Sequence, residues 1–141
     1  MPFHNLVVLR ETKMETALTS GIEISVSCQY EERFSNPESG LFMFSYEISI
    51  VNKNDFPIKL LRRHWHIVDS NTRTREVEGE GVIGQQPIIL PKERYAYRSS
   101  CDFTTDTGKM YGTYLMENTL TGSQFEVEIP SFLLMVPHKL N

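Results

Sequence analysis

Ile22-Glu23-Ile24-Ser25-Val26-Ser27-Cys28-Gln29-Tyr30 alternates apolar and polar residues without a break, and Phe42-Met43-Phe44-Ser45-Tyr46-Glu47-Ile48-Ser49-Ile50 repeats the pattern a turn later. A period of two places one row of side chains on each face of an extended chain, so both stretches are half-buried strands. Between them Phe34-Ser35-Asn36-Pro37-Glu38-Ser39-Gly40 is rich in turn formers, and Asn52-Lys53-Asn54-Asp55 closes the next turn. Residues 58 to 69 form a third strand, with Trp65 and Ile67 on one face and His64, His66 and Val68 on the other.

Shorter strands are expected at Arg73 to Gly79, Ile88 to Leu90, Glu93 to Ser99, Lys109 to Glu117 and Gln124 to Ile129, separated by turns such as Asp106-Thr107-Gly108 and Thr121-Gly122-Ser123. No ten-residue segment carries a helical period free of breakers. About seven short antiparallel strands at this spacing point to an all-β, two-sheet sandwich with minimal helix. Residues 1–19 lack a sustained period and read as an N-terminal extension, leaving residues 20–141 as one domain.

The 141-residue chain has fifteen aromatic residues and is 40% hydrophobic, enough apolar surface for a single core. Its net charge of -4 argues against non-specific attraction to nucleic acid or an anionic membrane. The longest apolar run, Phe132-Leu133-Leu134-Met135-Val136, is far below the ~20 residues of a membrane helix. Leu6-Val7-Val8-Leu9 is too short for a signal peptide, so a cytoplasmic protein is expected. Cys28 and Cys101 are one potential pair, but in a chain with this much core and without a secretory signal both read as free thiols, Cys28 as a packed small hydrophobe.

Three constellations carry candidate chemistry. Gly79-Glu80-Gly81-Val82-Ile83-Gly84 matches the spacing of a pyrophosphate-binding turn. Pro87 and Pro91 prevent a helix from starting there, and Glu76, Glu78 and Glu80 put negative charge where phosphate would lie. The favoured reading is a loop whose glycines permit positive φ or close packing, with anion binding through backbone amides at Gly79, Gly81 and Gly84 as the alternative. Residues 59 to 75 hold Lys59, Arg62, Arg63, Arg73 and Arg75 against Asp69, a local charge of +4. Arg62, Arg63 and Arg73 would form an anion grip if the hairpin brought them together; otherwise they form a solvated edge paired with the glutamates. His64-x-His66 places two imidazoles on one strand face, a metal chelate only if a carboxylate or third histidine arrives from a neighbouring strand. His4 and His138 lie near the ends, and two solvated histidines opposite Trp65 is the favoured reading, so no metal or cofactor is expected.

No nucleophile elbow, no cysteine beside a histidine and no metalloprotease motif occurs, so the chain reads as non-enzymatic. The leading expectation is a binding module with a protein partner, and a nucleotide or pyrophosphate sensor is the alternative.

Several stretches taken together resemble the ApaG (CorD) family: Thr19-Ser20-Gly21-Ile22, Phe44-Ser45-Tyr46, Leu60-Leu61-Arg62-Arg63-His64-Trp65, Val77 through Pro87, Met110-Tyr111-Gly112-Thr113-Tyr114 and Ile129-Pro130-Ser131-Phe132. The resemblance implies a fibronectin type III-like sandwich. It also implies an association of bacterial members with cobalt tolerance and magnesium efflux, gene neighbourhood with a diadenosine tetraphosphate hydrolase, and reuse in eukaryotes as a protein-interaction module. Pro91-Lys92-Glu93 departs from the family's Pro-Gly-Glu turn, Ser99-Ser100 departs from its Ser-Gly, and His66 is not part of its pattern.

Overall fold

A computed structural model describes residues 14–137, and the alternating rows become strands of two facing antiparallel sheets. The strands are β1 (Met14–Thr19), β2 (Ile22–Tyr30), β3 (Phe42–Asn52), β4 (Ile58–Asp69), β5 (Thr74–Glu80), β6 (Ile88–Ile89), β7 (Arg94–Phe103), β8 (Thr107–Asn118) and β9 (Gln124–Met135). One sheet has the order β1-β2-β3-β7; the other has the order β5-β4-β8-β9, with β6 also paired to β4. Two single-turn 3₁₀ helices, Glu32–Phe34 and Pro37–Ser39, fill the stretch before β3. The fold is the expected sandwich.

The inward rows meet as one core. Ile22, Ile24 and Val26 on β2, Phe44, Tyr46, Ile48 and Ile50 on β3, and Trp65 and Ile67 on β4 are all buried. Trp65 packs edge-on to Tyr46 at 5.5 Å and to Phe132 at 6.0 Å between ring centroids, so aromatic contacts lock the two sheets across the middle. Cys28 and Cys101 are free thiols, and burial pushes each up to about 11.

β3 runs on to Asn52 and β8 spans Thr107–Asn118, taking in the expected turn residues Thr107 and Gly108, and three other boundaries differ more from those read off the sequence. Met14–Thr19 belong to the sheet: β1 pairs with β2 from Met14↔Ser27 to Thr19↔Ile22. The rest of the N-terminal extension lies outside the described residues, as do His4 and His138. The strand expected to stop at Ile129 continues to Met135, because the β8–β9 register shifts between Met110↔Phe132 and Gly112↔Ile129. Pro130 and Ser131 together face Tyr111 there, and a bulge is where a strand tolerates a residue with no N–H to donate. Similarly, β7 runs on through Ser99-Ser100 to Phe103. At the family's glycine position in the turn before β7, Lys92 takes φ 70°, and its backbone N–H donates to Asn52 O at 2.7 Å.

Candidate functional site

The outward row of the β5-β4-β8-β9 sheet gathers the polar and aromatic residues that alternate with its core. His64 and His66 alternate with buried Trp65 and Ile67 on β4; Lys109 and Tyr111 alternate with Met110 on β8; Glu126 and Glu128 alternate with buried Val127 and Ile129 on β9. The ladder sets His64 opposite Glu78 and Thr113, and His66 opposite Glu76 and Tyr111.

These neighbours touch in sequence across the sheet. Glu76 Oε1 lies 2.7 Å from His64 Nε2, and Glu78 Oε1 lies 3.4 Å from His64 Nδ1. The His64 and His66 ring centroids are 4.5 Å apart, the His66 ring stacks on Tyr111 at 4.8 Å with an interplanar angle of 11°, and Lys109 Nζ sits 5.4 Å from the Tyr111 centroid. The hydrogen bond from His64 holds the Glu76 carboxyl below its usual range, against an opposing effect of desolvation and with lesser help from the charge of the nearby imidazoles. Beside the stack a cavity of about 470 Å³ is lined by His66, Tyr111, Glu128, Pro130 and Ser131 among others, its floor shaped by the β8–β9 bulge. One ligand atom from each of His64, His66 and Glu76 lies within 4.8 Å of the other two.

The six residues weighed as an anion site are distributed differently. Arg63 shares the inward face of β4 with Trp65, and its guanidinium donates to the carbonyls of Glu80 at 3.1 Å and Gly81 at 3.0 Å, directly against Gly79. Arg62 is exposed on the outward face, opposite Glu80. Arg73 sits at the far end of the hairpin in a small cavity with Asp69, Thr74, Arg75, Asp102 and Thr104. Five rungs of the β4–β5 ladder separate Arg63↔Gly79 from Val68↔Thr74, about 17 Å at ~3.4 Å per residue, so the three arginines do not converge. Arg75 pairs with Asp102 on β7, not with the neighbouring glutamates.

The glycine loop packs on β4 where the β4–β8 register shifts between Leu60 and Arg62. The Gly81 N–H donates to Leu61 O at 2.8 Å, Val82 and Gln85 exchange N–H···O bonds of 2.8 and 2.9 Å, and the Val82 side chain is fully buried. At φ 61° a Cβ on Gly81 would stand 2.0 Å from Gln85 O, so close backbone packing dictates this glycine. Gly84 is in open solvent at φ 79°.

Tyr111, Lys109, Glu76 and Glu128 were not assigned to a site with His64 and His66 when the chain was read for motifs. Each lies on a strand recognised from alternation, and outward parity was the available signal; the juxtaposition of Glu76 with His64 depends on register. Among the described residues no helix is long and apolar enough to cross a membrane.

Known proteins share this arrangement of strands. The ApaG domain family matches residues 32–118. Protein ApaG of Brucella canis is 42% identical over 126 residues, covering 89% of this chain and 96% of the relative. Protein ApaG of Agrobacterium fabrum is 43% identical over 124 residues, covering 88% and 95%. The crystal structure of the putative ApaA protein from Bordetella pertussis superposes with a TM-score of 0.79 at 39% identity, covering 82% of this chain and 94% of that one. By sequence and by fold, the chain belongs to the ApaG family.

Proposed function

We propose that this protein is a non-catalytic binding module of the cytoplasm that docks an extended, basic segment of a protein partner on the outward face of the β5-β4-β8-β9 sheet. The observation that carries this reading is the solvent-facing His66–Tyr111 stack at the rim of the bulge-floored cavity. Tyrosine side chains of this kind, rigid and amphipathic, are favoured anchors of protein interfaces. Glu76, Glu78 and Glu80 on β5 and Glu126 and Glu128 on β9 are exposed on either side of the stack, so two acidic rails flank an aromatic centre. Charge complementarity therefore favours lysine or arginine on the partner.

The nucleotide or pyrophosphate alternative draws less support. The Gly81 amide already serves Leu61, Arg63 already serves the loop carbonyls, and Arg73 lies at the other end of the hairpin.

Photo-crosslinking from position 131, in place of Ser131, tests the docking reading in cells. A specific protein adduct that disappears in the Tyr111→Ala background and weakens with salt is the expected result. Adducts that are absent, or that persist unchanged with Tyr111→Ala while the variant remains folded, would overturn it.

A further inference from the structure

Apart from any protein partner, the geometry points to a divalent transition-metal site formed by His64, His66 and Glu76, of the class that takes Zn²⁺ or Ni²⁺. Two imidazoles at i and i+2 on β4 and a carboxylate at the facing position of β5 make an N₂O donor set. All three ligand atoms lie within 4.8 Å of one another, and small side-chain rotations bring such a triad around one ion with bonds of about 2.0–2.2 Å. His64 Nε2 and Glu76 Oε1 lie 2.7 Å apart, a hydrogen-bond contact whose proton a bound ion would displace to water.

The neighbours supply what a metal site needs around its ligands. Glu78 faces His64 Nδ1 at 3.4 Å, the position from which a carboxylate holds an imidazole in the tautomer whose Nε2 is free to ligate. Tyr111 stacks on His66 and restricts its ring orientation. His64 and Glu76 have side chains 34% and 62% exposed, so an ion reaches the site from solvent and keeps water in the remaining positions. Imidazole nitrogen with one carboxylate suits Zn²⁺, Ni²⁺ or Cu²⁺ in preference to Mg²⁺ or Ca²⁺, which take all-oxygen shells. Of the three ligands only His66 lines the docking cavity, so the His64→Ala variant tests the metal site apart from that cavity.

Calorimetric titration of the metal-free 141-residue chain with Zn²⁺ tests it, with histidine-selective ¹⁵N NMR reading the ring nitrogens. One ion per chain is expected, shifting the ligating nitrogens of both His64 and His66. His64→Ala, His66→Ala and Glu76→Gln are each expected to weaken binding at least about tenfold, with circular dichroism and thermal melting confirming that each variant folds. Absence of stoichiometric uptake by the wild-type chain, or undiminished affinity in any of the three folded variants, would overturn the site.

Discussion

The hydroxyl of Tyr97, on β7, meets the hydroxyl of Tyr114, on β8, at 2.5 Å inside the sandwich, joining the two sheets by a buried polar contact within an apolar core. Burial pushes both phenols up, and each senses the other and the Arg63 guanidinium, which opposes the shift. Arg63 itself holds the glycine loop by the carbonyls of Glu80 and Gly81.

Removing one member of the pair strands the other. Tyr114→Phe or Tyr97→Phe alone is expected to lower stability by about 1–3 kcal/mol, whereas the double substitution costs less than the sum, since no buried hydroxyl is left unpaired. Urea unfolding of the three variants measures the coupling, and strictly additive losses would contradict it.

Alkaline pH acts through the same burial. A thiol or phenol whose folded value is raised keeps its proton in the native state while the unfolded chain loses it, so the stability is whole below the unfolded value and falls as pH rises past it. The loss begins near pH 9, where Cys28 and Cys101, pushed up to about 11, ionise only in the unfolded chain, and deepens above about pH 10 as Tyr97 and Tyr114 join. At pH 8 the thiolate fraction in the folded protein is on the order of a thousandth, so iodoacetamide labels both cysteines slowly until urea is added. Rapid labelling of the native protein would refute this account.

Two glycines of one loop are expected to differ sharply. Gly81→Ala combines a left-handed φ of 61° with a Cβ 2.0 Å from Gln85 O and is expected to cost about 3 kcal/mol, with loss of the Val82 plug. Gly84→Ala meets nothing within 4 Å and is expected to cost only about 1 kcal/mol for its φ of 79°. Equal melting temperatures for the two variants would show that the packing argument fails.

Asn52 is a buried clasp. Its amide donates to Phe56 O at 2.8 Å and Ile89 O at 3.0 Å, and its side-chain oxygen accepts from the Asn54 N–H at 3.0 Å. Asn52→Ala deprives three backbone groups of their partners and is expected to destabilise by about 3 kcal/mol in chemical denaturation. A loss below about 1 kcal/mol would mean that water replaces the side chain.

What was legible in the chain was local. Ile22 to Tyr30 and Phe42 to Ile50 declare strands because alternation is a property of consecutive residues, and the outward placement of His64, His66 and the glutamates follows from the same parity. The glycine loop was readable as a packing device because Pro87 and Pro91 forbid the helix a phosphate turn needs. β1 went unread because Met14–Thr19 is a short edge strand with no fully buried residue, whose apolar Met14 and Leu18 point outward, and β9 was cut short because Pro130 signals an end except where a bulge accepts it.

By itself, then, the sequence determined the all-β class, the extents of β2 and β4 and which of their side chains face outward, since these depend only on neighbours along the chain. The tertiary structure alone decided that Glu76 meets His64, that Tyr111 stacks on His66 and that Arg63 and Arg73 stay apart. Those relationships depend on strand order and register, and a shift of one residue in pairing would reverse every facing neighbour while leaving the linear pattern unchanged.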